Sequence, residues 1–165
     1  MKICALFLSA AALLLLVACK DDGASAIPKP LEPDANAIAY FCGMSLPEHE
    51  GPKGQIFLRD NDKPVWFASV GEVFMYLSTE LVQPHNLLVA YVNDMAKGSW
   101  EHPVAGAWIE AQQAFYVIGS SKSAAMGGKE AVPFSSREAA AAFVTEFGGE
   151  IMDFAAAQKN MIGQQ

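Results

Sequence analysis

One repeated offset constrains this chain more than any other feature. Val65, Phe67 and Ser69 recur as Val132, Phe134 and Ser136, each 67 positions further on. The surrounding residues repeat in kind. In the first copy, residues 54–58 (GQIFL) read as an apolar strand, 59–63 as a turn and 64–67 as a second strand. Ser69-Val70-Gly71-Glu72 then has the spacing of a capping box, ahead of the apolar run VFMYL. In such a box a serine hydroxyl and a glutamate three residues later satisfy backbone N–H groups that a first helical turn leaves free. Pro84 follows where that helix should have ended, and residues 87–92 (LLVAYV) read as a strand bounded by Asn93 and Asp94. In the second copy, 114–118 is the strand, 131–134 its partner and Ser135-Ser136-Arg137-Glu138 the capping box. The helix AAAAFVTEF follows, Gly148-Gly149 ends it, and 151–154 closes as a strand. The order predicts an α+β fold of two repeated ββαβ units, spanning 39–105 and 106–158. Neither unit is large enough to bury much core alone, so the two are expected to pack together. Residues 159–165, with Met161, read as a tail.

The two copies differ in their hairpins. The first connection is short, whereas the second, 119–130 (GSSKSAAMGGKE), reads as a long loop. Long connections in compact domains are often functional. Met126 stands beside two glycines in this one, a poor place for core packing. Met75 and Met152, in a helix and a strand, read as core.

Ahead of the repeats, Lys2 precedes a run from Ile3 to Ala18 without charge, ending Leu16-Val17-Ala18-Cys19. That run is short for a membrane-spanning helix and suits a signal peptide, residues 1–18. Its end resembles the lipobox of bacterial lipoproteins, in which the cysteine becomes the lipidated first residue. Cys19 is therefore the expected lipid-anchoring position. Lys20 rather than aspartate after it points to the outer membrane rather than the inner, with the protein facing the periplasm. Residues 19–38 are rich in proline, small residues and charge, and read as a flexible tether.

Three cysteines are present, Cys4, Cys19 and Cys42. Removal of the signal peptide and lipidation would leave Cys42 alone, without a disulfide partner. A single thiol in an oxidising compartment suggests a reactive group or a metal ligand; a buried cysteine acting as a small hydrophobe is the plainer alternative. Gly43 and Pro47 place Cys42 in a turn at the start of the folded part. Met44 lies on the same turn and His49 follows within Pro47-Glu48-His49-Glu50, where a solvated loop histidine is the alternative. A thiolate and thioethers select soft ions such as Cu(I). Cys42 and Met44 would form a shallow site if the Met126 loop folds over them, with His49 adding an imidazole. Met95, in Asn93-Asp94-Met95, is one further possible sulfur. His85 and His102 read as surface residues. Closely spaced Cys/His pairs of the structural-zinc type are absent, as are EF-hand, P-loop and dinucleotide glycine patterns. The net charge of −7 and the lack of a basic stripe exclude nucleic acid as a natural partner.

These stretches, taken in order, carry a family resemblance. Tyr40-Phe41-Cys42-Gly43-Met44, Glu48 through Gln55, Val65-Trp66-Phe67, Tyr91 through Met95, and Met126-Gly127-Gly128 through Phe134 resemble the NosL family, the copper-binding accessory lipoproteins of nitrous oxide reductase assembly. The resemblance implies paired ββαβ units similar to the metal-associated domain of the organomercurial lyase. It further implies Cu(I) binding, with Cys42 and Met126 as ligands and Met44 and His49 as additional candidates. It implies delivery of copper to apo nitrous oxide reductase, with an ABC-type transporter complex of the same pathway as partner, and a role that is not enzymatic. Two other readings of the residues stand beside it. One is a thiol-dependent enzyme, a hydrolase or metal–carbon lyase, with Cys42 as nucleophile and His49 as base. The other is a structural lipoprotein with an incidental thiol.

Overall fold

Ser69 starts the first helix as its spacing predicts. Its hydroxyl accepts the Glu72 N–H at 3.2 Å, and the Glu72 carboxylate reaches back to the Ala68 N–H at 3.0 Å. The second helix starts one residue later than the expected Ser135–Glu138 spacing: Ser136 caps it, accepting the Ala139 N–H at 3.2 Å. Position 139 is an alanine, so the reciprocal half of that capping box is missing. Gly148, at φ +72°, ends the second helix in a left-handed conformation suited to glycine.

The computed structural model describes residues 27–79 and 82–163. The expected signal peptide and Cys19 lie outside them. The first set of elements is β1 (Gly54–Leu58), β2 (Val65–Phe67), α1 (Val70–Leu77), β3 (Leu87–Asn93) and β4 (Trp108–Glu110). The second is β5 (Phe115–Ser123), β6 (Lys129–Phe134), α2 (Arg137–Phe147), β7 (Glu150–Met152) and α3 (Phe154–Ile162). The sheets are antiparallel, ordered β2-β1-β3-β4 and β6-β5-β7. In each, the first strand of a ββαβ unit lies in the middle, so the repeat is one of topology as well as of sequence. The chain is α+β with paired ββαβ units, and the main core is shared between them. Ile56, Phe67, Val73 and Phe74 of the first pack with Tyr116, Ile118 and Ala131 of the second. Each such fully buried side chain contributes about 1.5–3 kcal/mol relative to exposure.

Three features depart from expectation. The closing strand of the second unit forms but is shorter than 151–154: β7 stops at Met152, and Asp153 caps α3 by accepting the Ala156 N–H at 2.8 Å. α3 occupies most of the expected tail. Its Phe154 packs against Phe74 and Tyr116, and Met161 packs on the main core. Second, the expected long loop at 119–130 is mostly strand. β5 runs to Ser123, and the register slips from Ile118↔Ala131 to Ser123↔Lys129, so β5 bulges beyond Gly119. The connection itself is only 124–128. This arm buries little of either face past Ile118, which is why its sequence carries no apolar alternation. Third, Met75 is half-buried rather than core, because α1 turns Val70, Val73 and Phe74 inward instead.

Residues ahead of Cys42 lie along the first sheet. The buried Gln55 side chain donates to the Leu31 carbonyl at 3.0 Å and accepts the Leu31 N–H at 2.9 Å. Tyr91 donates to the Pro28 carbonyl, and Glu32 accepts from Trp108 Nε1 and the Gly106 N–H.

Candidate metal centre

Cys42 sits at the tip of a turn that the backbone closes on itself. The Ala39 N–H donates to the Met44 carbonyl at 3.0 Å, and the Gly43 N–H to the Ala39 carbonyl at 2.9 Å. Gly43 has φ +67°, which a side chain would strain. The Tyr40 N–H donates to the Trp66 carbonyl, tying the turn to β2. A 3-10 turn at Leu46–Glu48 follows, pinned by the fully buried Leu46. It returns the chain so that His49 Nε2 lies 3.8 Å from Cys42 Sγ. Both side chains are half-buried.

That separation suits two ligands of one ion. Sulfur and nitrogen bonds of roughly 2.3 and 2.0 Å, opened to a trigonal angle, put the donor atoms about 3.7 Å apart. Among the described residues, no three of His, Cys, Asp and Glu come together as a metal-holding group. Thioethers are the soft donors left to join this pair. Met44 follows on the same turn and is exposed. Met126 lies at the tip of the β5–β6 arm and is 59% exposed, its loop closed by Gly127 N–H to Ala124 carbonyl at 2.8 Å. Its neighbour Ala125 packs in the same small cluster as Cys42, Leu46, Trp66 and Ala68. The arm thus brings the neighbourhood of position 126 to that of position 42, from opposite ends of the sequence. Tyr40 and Phe41 add exposed aromatic surface beside the thiol.

The model of the NosL family matches residues 30–162. The chain belongs to the NosL family. It is 47% identical over 152 residues to the copper-binding lipoprotein NosL of Achromobacter cycloclastes, covering 90% of this chain and 77% of that protein. It is 34% identical over 134 residues to the copper-binding lipoprotein NosL of Stutzerimonas stutzeri, covering 78% and 67%. The crystal structure of the copper chaperone NosL from Shewanella denitrificans superposes with a TM-score of 0.71 at 31% identity, covering 77% of this chain and 93% of that one. These relatives carry the names of copper binders and a chaperone, not of enzymes.

Around the thiol, this NosL chain places groups that its sequence does not announce. Burial holds the Glu72 carboxyl above the usual carboxylate range, against the pull of the Ala68 and Ser69 N–H groups and of nearby His49. Lys53 is buried, and its ammonium donates to the Glu50 carbonyl at 3.0 Å and the Gly51 carbonyl at 2.6 Å. Burial lowers its pKa to about 8, with Glu130 and Glu50 opposing the shift. Glu130 is buried in turn, and its Oε1 accepts from the N–H groups of Val70, Gly71 and Ala131. Burial raises its pKa to about 8, against those three bonds and Lys53. In the sequence both residues look like surface charges, and nothing local marks them as buried.

Of the other candidates, Met95 packs in the second core with Val117, Val132 and Phe134. His85 and His102 are exposed.

Proposed function

We propose that this chain is a Cu(I)-binding lipoprotein of the periplasm, anchored through a lipid on Cys19, which delivers copper to apo nitrous oxide reductase. The observation that carries the copper reading is the Cys42–His49 pair, one thiol and one imidazole at ligand spacing on a surface turn. Cys42 is the principal ligand, Met126 the sulfur brought in by the β5–β6 arm, and Met44 and His49 complete the set. Soft sulfur donors favour Cu(I) over harder ions. The copper-binding names of the relatives support the same reading. Few ligands, two of them exposed methionines, suit a carrier rather than a store. An acceptor can replace one ligand at a time, whereas an enclosed cage must open first. An ABC-type transporter complex of the same pathway is the expected partner, and the outer membrane the expected site.

Copper binds the thiolate, so loading displaces the thiol proton and weakens as the medium is acidified. Anaerobic Cu(I) titration against a competing chelator tests the assignment. Cys42→Ser should abolish tight one-to-one binding, and unchanged affinity would refute it. Incubating the loaded protein with apo nitrous oxide reductase tests delivery. Copper should move to the reductase faster than from a small-molecule Cu(I) complex of equal affinity, and equal rates would count against a carrier role.

A further inference from the structure

We propose that the buried Lys53–Glu130 pair positions the copper ligands, holding the segment that bears His49 and the hairpin that bears Met126 in one register. The inference rests on the copper reading above and names groups that touch no metal themselves.

Lys53 reaches the first of these segments. Its ammonium clamps the carbonyls of Glu50 and Gly51, the two residues that follow His49. Its own backbone is held on both sides by Asn93, which accepts the Lys53 N–H at 2.8 Å and donates its N–H to the Lys53 carbonyl at 3.0 Å. The clamp is therefore anchored to β3, and the His49 segment has little freedom to drift from it. Glu130 reaches the second. It stands in β6 just past the 124–128 connection, at the foot of the arm carrying Met126. From there it crosses to the other unit and receives the first N–H groups of α1, Val70 and Gly71, both at 3.0 Å. The residue two before that helix, Ala68, packs beside Cys42.

A structural filler at this junction would need no polar atom. Burying polar groups costs free energy unless they are hydrogen-bonded, and a well-packed apolar pair would avoid that cost. What the polar groups add is direction. The bonds end on segments that bear proposed ligands or pack beside Cys42. Groups that orient metal ligands without touching the ion typically change affinity 10–100-fold when removed.

The test uses the folded, metal-free chain under anaerobic conditions, with Cu(I) affinity from chelator competition and the folded fraction from circular dichroism. Lys53→Met and Glu130→Met, which remove the donor and the acceptor, should each weaken Cu(I) binding by about 10–100-fold while remaining folded. The penalty of Lys53→Met should largely vanish in a His49→Ala background, and that of Glu130→Met should shrink in a Met126→Ala background. A purely structural role would lower the folded fraction but leave affinity per folded molecule at the wild-type value, and that result overturns the proposal. Penalties that add fully to those of His49→Ala and Met126→Ala overturn it too. Should one of the two variants fail to fold, the other decides. Cys42→Ser is the control: if that variant keeps wild-type affinity, the copper reading itself has failed, whereas Cys42-dependent binding that ignores Lys53 and Glu130 sinks the positioning role alone.

Discussion

Gly54→Ala offers a direct test of how closely the first sheet approaches α1. Gly54 opens β1, paired with Phe67 on one side and Val92 on the other. A Cβ built there would stand 2.1 Å from Val73 Cγ2, with Phe67 Cβ at 3.7 Å. Carbon atoms rest about 3.5–4.0 Å apart, so strand and helix would have to separate by roughly 1.5 Å. Val73 cannot swing aside, because a β-branched side chain in a helix has one strongly preferred rotamer, and this one is fully buried. Overpacking of this kind costs about 1–3 kcal/mol, and the short distance places it near the upper end. Reduced freedom of the unfolded chain returns about 0.4–1 kcal/mol. The net expectation is a loss of about 2 kcal/mol, or roughly 4–8 °C in Tm for a chain of this size. Urea unfolding of the copper-free protein would measure it, since bound metal would add its own stabilisation. Val73→Ala removes the clashing methyl, so Gly54→Ala/Val73→Ala should be less destabilised than the sum of the single variants by about 2 kcal/mol. A Gly54→Ala protein within about 0.5 kcal/mol of wild type, or strictly additive variants, would refute the close approach.

Stability should also depend on pH in two opposed limbs. Glu130 is raised from 4.5 to about 8, so between those values the folded state holds a proton that the unfolded chain releases, and stability falls as pH rises. Lys53 is lowered from 10.5 to about 8, so between those values the unfolded chain holds the extra proton and stability rises with pH. Each limb has a slope of at most about 1.4 kcal/mol per pH unit. Denaturation across this range should show a minimum near pH 8, with Glu130→Gln flattening the lower limb and Lys53→Met the upper; a single monotonic trend contradicts the assignment. Met95→Ala should destabilise the fold by about 2–5 kcal/mol, as truncation in a packed core does, while Cu(I) affinity stays unchanged. A loss of copper binding there would make Met95 a ligand after all. Glu32→Ala strips the acceptor from Trp108 Nε1 and the Gly106 N–H. It should cost about 1–2 kcal/mol, and unaltered indole fluorescence would argue that the contact is not formed in solution.

Local chemistry made much of this protein legible without coordinates. The 67-residue offset carried the paired units, because each copy must alternate apolar and polar residues and start its helix with a hydroxyl. Ser69 and Ser136 do so. Cys42, the glycine beside it and the imidazole of His49 could be singled out together, since Cys42 and His49 are close in sequence as well as in space. α3 is hidden because the apolar residues of Ile151-Met152-Asp153-Phe154 also suit a strand, although an acidic residue ahead of an alanine-rich run is equally a helix cap. The β5 arm escaped because past Ile118 its residues are at most half-buried, which imposes no apolar alternation on them.

What the sequence alone determined is the repeat, the starts of the first two helices and the residue types able to hold a soft metal. Those depend on spacings of a few residues, or on two copies of one pattern. Only the tertiary structure decided which distant segments meet. It set Ala125 against the cluster of Cys42, and Glu130 against the start of a helix some sixty residues earlier. It also put Lys53 out of water. A charge reads the same in a sequence whether it faces solvent or a buried carbonyl, and only the packing of one unit on the other removes the water that makes the difference.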